Sequence, residues 1–79
     1  GYDRAGAEAA LLHELAHLAA WFNARGPDEA AHWHYHRKGF AWRRLFSAAV
    51  REVTGVELRD RPRCWELDRD AARAMRRCR

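Results

Sequence analysis

The stretch that decides the fold is AALLHELAHLAAWF, residues 9–22. Alanine and leucine, both strong helix formers, dominate it, and neither glycine nor proline interrupts it. Its large apolar residues recur with the i, i+4, i+7, i+11 spacing of a stripe along one helical face: Leu11, Leu15, Leu18 and Phe22. The pattern predicts an amphipathic helix from about Ala7 to Asn23 or Ala24, with the leucine stripe facing the core.

Two histidines and a glutamate in this stretch have a spacing that suits metal chemistry. His13 and His17 are four residues apart, so a helix carries both imidazoles on one face, where both can bind one Zn²⁺. By the helical period, that face lies roughly opposite the leucine stripe. Glu14 points about 100° away from His13, too far round to bind the same ion but close enough to reach its water. This HExxH arrangement predicts a zinc site with Glu14 as general base.

A second group of histidines follows at residues 32–36, where the sequence is HWHYH. A catalytic zinc ion takes three protein ligands and leaves one position for water, so a two-histidine helix needs one more. His32, His34 and His36 share a face if the segment is extended, whereas His32 and His36 pair if it is helical. One of the three is therefore the predicted third ligand, and the others are alternative ligands or partners around the site. Tyr35 is a candidate donor to the oxyanion that develops in catalysis.

The rest of the chain predicts two further helices. We expect Asn23, Gly26, as a left-handed cap, and Pro27 to end the first helix, and we expect residues 28–31 to form a short helical turn. Residues 40–53 make an amphipathic helix, which Thr54-Gly55 ends. Its predicted core stripe is Trp42, Leu45, Phe46, Ala49 and Val53.

The C-terminal part is thinner in apolar residues. Residues 56–63 predict a loop or a brief edge strand, and Asp68 is the expected N-cap of a last helix over residues 69–77. The apolar face expected there is Leu67, Ala71, Ala72 and Met75. The sequence thus predicts a mainly α domain of about three helices.

Composition limits the class of protein. Seventy-nine residues make one small domain, for which a bound metal would help to compensate a small core. No apolar run approaches the roughly 20 residues of a membrane span, and no signal-peptide pattern is present. Cys64 and Cys78 form neither a CxxC pair nor a disulfide framework, so we expect reduced thiols in a cytoplasmic protein. Residues 37–79 hold thirteen Lys and Arg against six Asp and Glu, a basic half that suits either nucleic acid or a solvated surface.

With both histidine stretches in view, the chain resembles the SprT-like zinc metallopeptidases, the group that includes the Spartan proteases. The resemblance lies in LLHELAH, residues 11–17, with Trp21 following, and in YHRKGF, residues 35–40, at the head of the next helix. It implies that His13, His17 and His36 are the zinc ligands, that Glu14 is the catalytic base and that Phe40 is a packing aromatic. It covers residues 7 to 53.

The resemblance also implies a fold. Members of the family have strands ahead of the active-site helix, whereas twelve residues precede His13 here. We therefore expect a zincin-like active-site core without the N-terminal sheet, in a truncated or minimal member. Some members act in DNA-associated proteolysis.

Other zinc peptidase classes fit less well. The metzincin extension needs Gly and His where this chain has Ala20 and Asn23, so that class is excluded. A gluzincin would use a downstream glutamate, for which Glu52 is the candidate, but the histidine cluster is the better source of the third ligand.

Two functions follow. The first is a zinc-dependent peptidase that cleaves protein or peptide substrates with a Glu14-activated water. The alternative is a non-catalytic, zinc-stabilised module that binds nucleic acid or a protein partner through the basic half.

Overall fold

The computed structural model describes residues 3–24, 26 and 35–78. They form three α-helices: α1 spans Arg4–Phe22, α2 spans Ala41–Thr54 and α3 spans Cys64–Arg77. No strand occurs among these residues, so the predicted mainly α fold is confirmed and residues 56–63 form a loop. The helical turn expected at residues 28–31 lies outside the described part of the chain. None of the described helices is both long and apolar enough to cross a bilayer.

The first helix begins three residues earlier than the sequence predicted. Asp3 caps it, because its carboxylate accepts a hydrogen bond from the backbone N–H of Gly6 at 2.8 Å. Gly6 is therefore a buried residue inside α1 rather than part of a loose lead-in. The helix ends at Asn23, and Gly26 does not have the left-handed conformation expected of a cap.

The other two helices show one correct prediction and one error. Gly55 ends α2 in the left-handed conformation, with φ 74°, as the Thr54-Gly55 pair predicted. α3 begins at Cys64, five residues before the predicted start, because the Glu66 carboxylate accepts a hydrogen bond from the backbone N–H of Arg63 at 3.3 Å. Asp68 is consequently an interior residue of α3 and not its N-cap.

The core forms where α1 packs against both α2 and α3. Its largest fully buried side chains are Trp42, Phe46, Val50, Leu67 and Met75. The predicted apolar face of α3 is confirmed in full, since all four of its members are buried. On α2 the prediction was correct for Trp42 and Phe46, but Val50 is buried in place of Val53, which is 56% exposed.

The face of α1 that packs is the opposite of the predicted one. The leucine stripe is on the outside, with Leu11, Leu15, Leu18 and Phe22 between 48% and 77% exposed. The buried residues of α1 are small: Ala5, Gly6, Ala9, Ala16 and Ala20. Small side chains allow the backbones of neighbouring helices to approach closely, and the bulky Trp42 and Phe46 of α2 fill the space that remains. The histidine face is therefore part of the helix interface.

This arrangement predicts very different costs for two phenylalanine substitutions. Phe46→Ala is expected to lower the free energy of unfolding by about 3–5 kcal/mol, because it opens a cavity in the core. Phe22→Ala, the matched control on the outer face of α1, is expected to change it by less than about 0.5 kcal/mol. Urea titrations followed by circular dichroism measure both. Equal losses would mean that the outer face of α1 is buried in solution.

A second prediction concerns the contact between the start of α1 and the end of α3. The Asp3 carboxylate accepts hydrogen bonds from Arg76 Nε at 2.7 Å and Nη2 at 3.4 Å. The Arg76 guanidinium, together with the Gly6 N–H, lowers the pKa of Asp3 below that of an ordinary aspartate. A carboxyl with a lowered folded-state pKa stabilises the fold above its unfolded-state pKa, and this stabilisation is lost as the pH falls through the folded-state value.

We therefore expect the stability difference between the wild type and Asp3→Asn to be constant above about pH 5 and to shrink below about pH 4. Chemical unfolding at a series of pH values checks this. A difference that stays constant through the acid range would show that the ion pair contributes nothing.

Candidate metal centre

Three imidazole nitrogens meet between α1 and the segment before α2. His13 Nε2 lies 3.1 Å from His17 Nε2, which in turn lies 2.7 Å from His36 Nε2. All three atoms are within 4.8 Å of one another. A tetrahedral zinc ion with Zn–N bonds of about 2.0–2.1 Å places its nitrogen ligands about 3.3 Å apart, so the His13–His17 distance is close to what this ion needs, whereas His17 and His36 would have to separate by about 0.6 Å. The structure thus brings together the three ligands that the family resemblance implies.

A fully buried tryptophan packs against the whole cluster. The ring centroid of Trp42 lies 4.6 Å from that of His13, 5.3 Å from that of His17 and 5.1 Å from that of His36. Its indole N–H also donates to the backbone carbonyl of His13 at 3.1 Å. These contacts restrict the rotation of the imidazoles, which favours metal binding because less side-chain freedom is lost.

The other ring nitrogen of two histidines faces α3. His13 Nδ1 lies 2.8 Å from Asp68 Oδ1, and His36 Nδ1 lies 3.0 Å from Cys64 Sγ. Metal-binding histidines usually have such a partner, which fixes the orientation of the ring. Neither contact was predicted from the sequence. Cys64 and Asp68 are four residues apart, but this spacing indicates a shared helical face only when α3 is known to begin at Cys64.

A buried arginine holds the backbone of the third ligand. Arg43, which is 5% exposed, donates to the carbonyl of His36 from Nε at 3.3 Å and from Nη2 at 3.1 Å. It also donates to the carbonyls of Arg61 and Pro62, and its Nη1 lies 3.6 Å from Asp60 Oδ1. Arg43 therefore ties His36 to the loop ahead of α3. This role of Arg43 was not predicted, because arginine is mostly an exposed residue and nothing in the local pattern marks this one as buried.

Tyr35 lies in the core next to the site. Its hydroxyl donates to the backbone carbonyl of Ala20 at 3.1 Å, and its ring centroid is 6.0 Å from that of His17. This hydrogen bond fastens the segment that carries His36 to the end of α1. The proposed role of Tyr35 as an oxyanion donor stays a prediction, and it would require the hydroxyl to leave Ala20.

Glu14 is exposed and lines a groove between α1 and α3. The groove has a volume of about 570 Å³ and small residues along it: Gly6, Ala9, Ala10 and Ala72. His13, Glu14 and Asp68 line it, as does the Asp3–Arg76 ion pair, which lies toward the start of α1. A substrate in this groove would therefore meet Glu14 and the edge of the histidine cluster together.

Of the remaining candidates, those that the structure describes do not join the cluster. Glu52, the alternative third ligand, is an exposed residue of α2 and is not part of the group. His32 and His34 lie outside the described residues. Cys64 and Cys78 are not bonded to each other.

No family model, curated protein sequence or solved structure matches the chain. Function has to be inferred from the chemistry of the site itself.

The geometry predicts which histidines control metal affinity. His36→Ala is expected to weaken zinc binding by more than about 100-fold, since the loss of an outer partner alone costs 10- to 100-fold. His34→Ala, the matched control, should bind zinc like the wild type. Competition with a chromophoric chelator measures both affinities. Strong binding by His36→Ala with weak binding by His34→Ala would make His34 the third ligand.

Proposed function

We propose that this chain is a zinc-dependent hydrolase, and specifically a peptidase of the SprT-like kind that its motifs resemble. The observation that supports this most is the convergence of the Nε2 atoms of His13, His17 and His36 beside a groove that Glu14 also lines. Three protein ligands leave one coordination position for water, which is the arrangement of catalytic zinc sites, whereas structural sites use four. When bound, zinc supplies a Lewis acid that polarises a carbonyl group and acidifies water.

Glu14 is the proposed general base. It follows His13 directly in α1, and its exposed carboxylate is accessible to water and substrate in the groove. In the proposed reaction it accepts a proton from the attacking water and then delivers that proton to the leaving amine. His13, His17 and His36 would bind the zinc ion. Trp42 and α3 hold the three imidazoles in place.

The proposed substrates are protein or peptide segments, because residues from Asp3 to Glu14 along α1 line the groove and this length suits an extended chain. The proposed location is the cytoplasm, where two unpaired cysteines stay reduced.

A second function is supported by the position of the histidines. They are packed against the core tryptophan, so a bound ion would link α1 to the segment before α2 and stabilise a small domain. The chain would then be a zinc-stabilised module that binds nucleic acid or a protein through its basic half. Salt-sensitive DNA binding that Glu14→Gln leaves unchanged, without any cleavage, would favour this function.

The two functions differ in what Glu14 does. Glu14→Gln is expected to keep one zinc per chain and to lower peptide cleavage by 10²-fold or more, because the amide cannot accept the proton. Glu52→Gln, an exposed glutamate on α2, is the matched control and should retain both zinc and activity. Cleavage is measured on a quenched-fluorescence peptide library with zinc content determined in parallel. Undiminished cleavage by Glu14→Gln would rule out the mechanism.

A further inference from the structure

We propose that Asp68 and Cys64 are positioning residues that set the tautomers of two metal-binding histidines. By accepting a hydrogen bond at Nδ1, they leave the Nε2 lone pairs of His13 and His36 directed at the ion. The inference rests on the proposed metal site, and it gives α3 a function although α3 contributes no ligand.

The spacing of the two residues makes this arrangement specific. Cys64 and Asp68 are four residues apart in α3, so their side chains lie on one face about a turn apart. They contact the Nδ1 atoms of two histidines that come from different parts of the chain, at 3.0 Å and 2.8 Å. Nδ1 and Nε2 lie on opposite sides of an imidazole, so a partner at one directs the other toward the cluster. One turn of α3 therefore aligns two of the three ligands.

The Asp68 contact determines which nitrogen of His13 carries the proton. An ionised carboxylate only accepts hydrogen bonds, so a neutral His13 must carry its proton on Nδ1 and present a lone pair at Nε2. The His13 side chain is 14% exposed, and this shielding from water strengthens the interaction.

Cys64 acts on His36 in the same direction. Its sulfur lies beside Nδ1 and is not a member of the group of nitrogens that can share an ion. A thiol sulfur accepts a hydrogen bond weakly, and an Nδ1–H donated to it leaves Nε2 of His36 unprotonated toward His17. The structure thus places Cys64 behind a ligand and not among the ligands.

The inference is tested first in the metal-free protein. Long-range proton–nitrogen NMR spectra of the histidine rings report the tautomer directly. We expect the Nδ1–H form at His13 and His36 in the wild type. In Asp68→Ala the Nε2–H form should gain population at His13, with His36 unchanged.

Zinc affinity provides the second measurement. Asp68→Asn keeps an acceptor oxygen but loses the charge, and we expect it to bind zinc about 10-fold more weakly than the wild type. Asp68→Ala loses both the oxygen and the charge, and we expect its zinc affinity to fall further, by up to about 100-fold. Asp70→Asn is the matched control. It removes a carboxylate from the same helix, but the hydrogen-bond partner of Asp70 is Arg61 and not a histidine. It should leave affinity and tautomers unchanged.

The cysteines offer an equally direct comparison. Cys64→Ala is expected to weaken zinc binding about 10-fold and to mix the tautomers of His36. Cys78→Ala is the control, because Cys78 is exposed and contacts the carbonyl of Thr54 instead of a histidine. Circular dichroism confirms that each variant is folded, and the near-isosteric Asp68→Asn keeps the test valid if an alanine variant unfolds.

The outcomes separate this inference from the proposed function. A wild-type His13 or His36 in the Nε2–H form would overturn it, as would wild-type zinc affinity in both Asp68→Ala and Cys64→Ala. If the tautomers are as expected but the wild type binds no zinc, the positioning role stands and the proposed metal site fails. If zinc binds and no peptide is cleaved, both the site and the positioning role stand and only the peptidase activity fails.

Discussion

A single tryptophan contacts all three histidines of the candidate metal centre, His13, His17 and His36. Trp42 is fully buried. Its ring centroid lies no more than 5.3 Å from the centroid of each of the three imidazoles, and it stacks on Phe46 with 5.1 Å between the ring centroids. Its indole N–H is satisfied by a backbone carbonyl of α1. The packing of α2 on α1 and the geometry of the histidine cluster therefore depend on the same side chain. Any movement of α2 that opens the core also displaces the site.

This dependence follows from the use of small residues on α1. Alanines and one glycine on its inner face allow close approach of both neighbouring helices, and the histidines occupy the part of that face where Trp42 lies. The large residues of α1 are consequently left outside. In a chain of 79 residues the core is small, and because the core and the candidate metal centre share one interface, an ion bound there would stabilise the fold.

Local patterns were sufficient for part of the fold and part of the site. The His13–His17 pair was predictable because its geometry depends on one helix alone. Helix α2 was predictable because its apolar residues recur with the helical period, and two of them, Trp42 and Phe46, are buried. The inner face of α1 was predicted wrongly, because hydrophobic periodicity ranks leucine above alanine and histidine. Which face is buried depends instead on the shape of the helices packed against it.

Contacts between residues distant in sequence could not be predicted from local patterns. Asp68 meets His13 across 55 residues and Cys64 meets His36 across 28, and no local pattern encodes either pairing. Asp68 was predicted to be the N-cap of the last helix. The predicted helix therefore began too late to include the turn that places Cys64 and Asp68 on one face. The position of His36 was indicated by its resemblance to a family motif and by the need for a third ligand, while Arg43, which holds its backbone, gave no signal.

The most direct test of the central claim is X-ray absorption at the zinc edge of the zinc-loaded protein. Three imidazole nitrogens and one oxygen at about 2.0–2.1 Å, with the outer scattering of histidine rings and no sulfur, are predicted. A sulfur neighbour at about 2.3 Å would place Cys64 in the coordination sphere and contradict the three-histidine site.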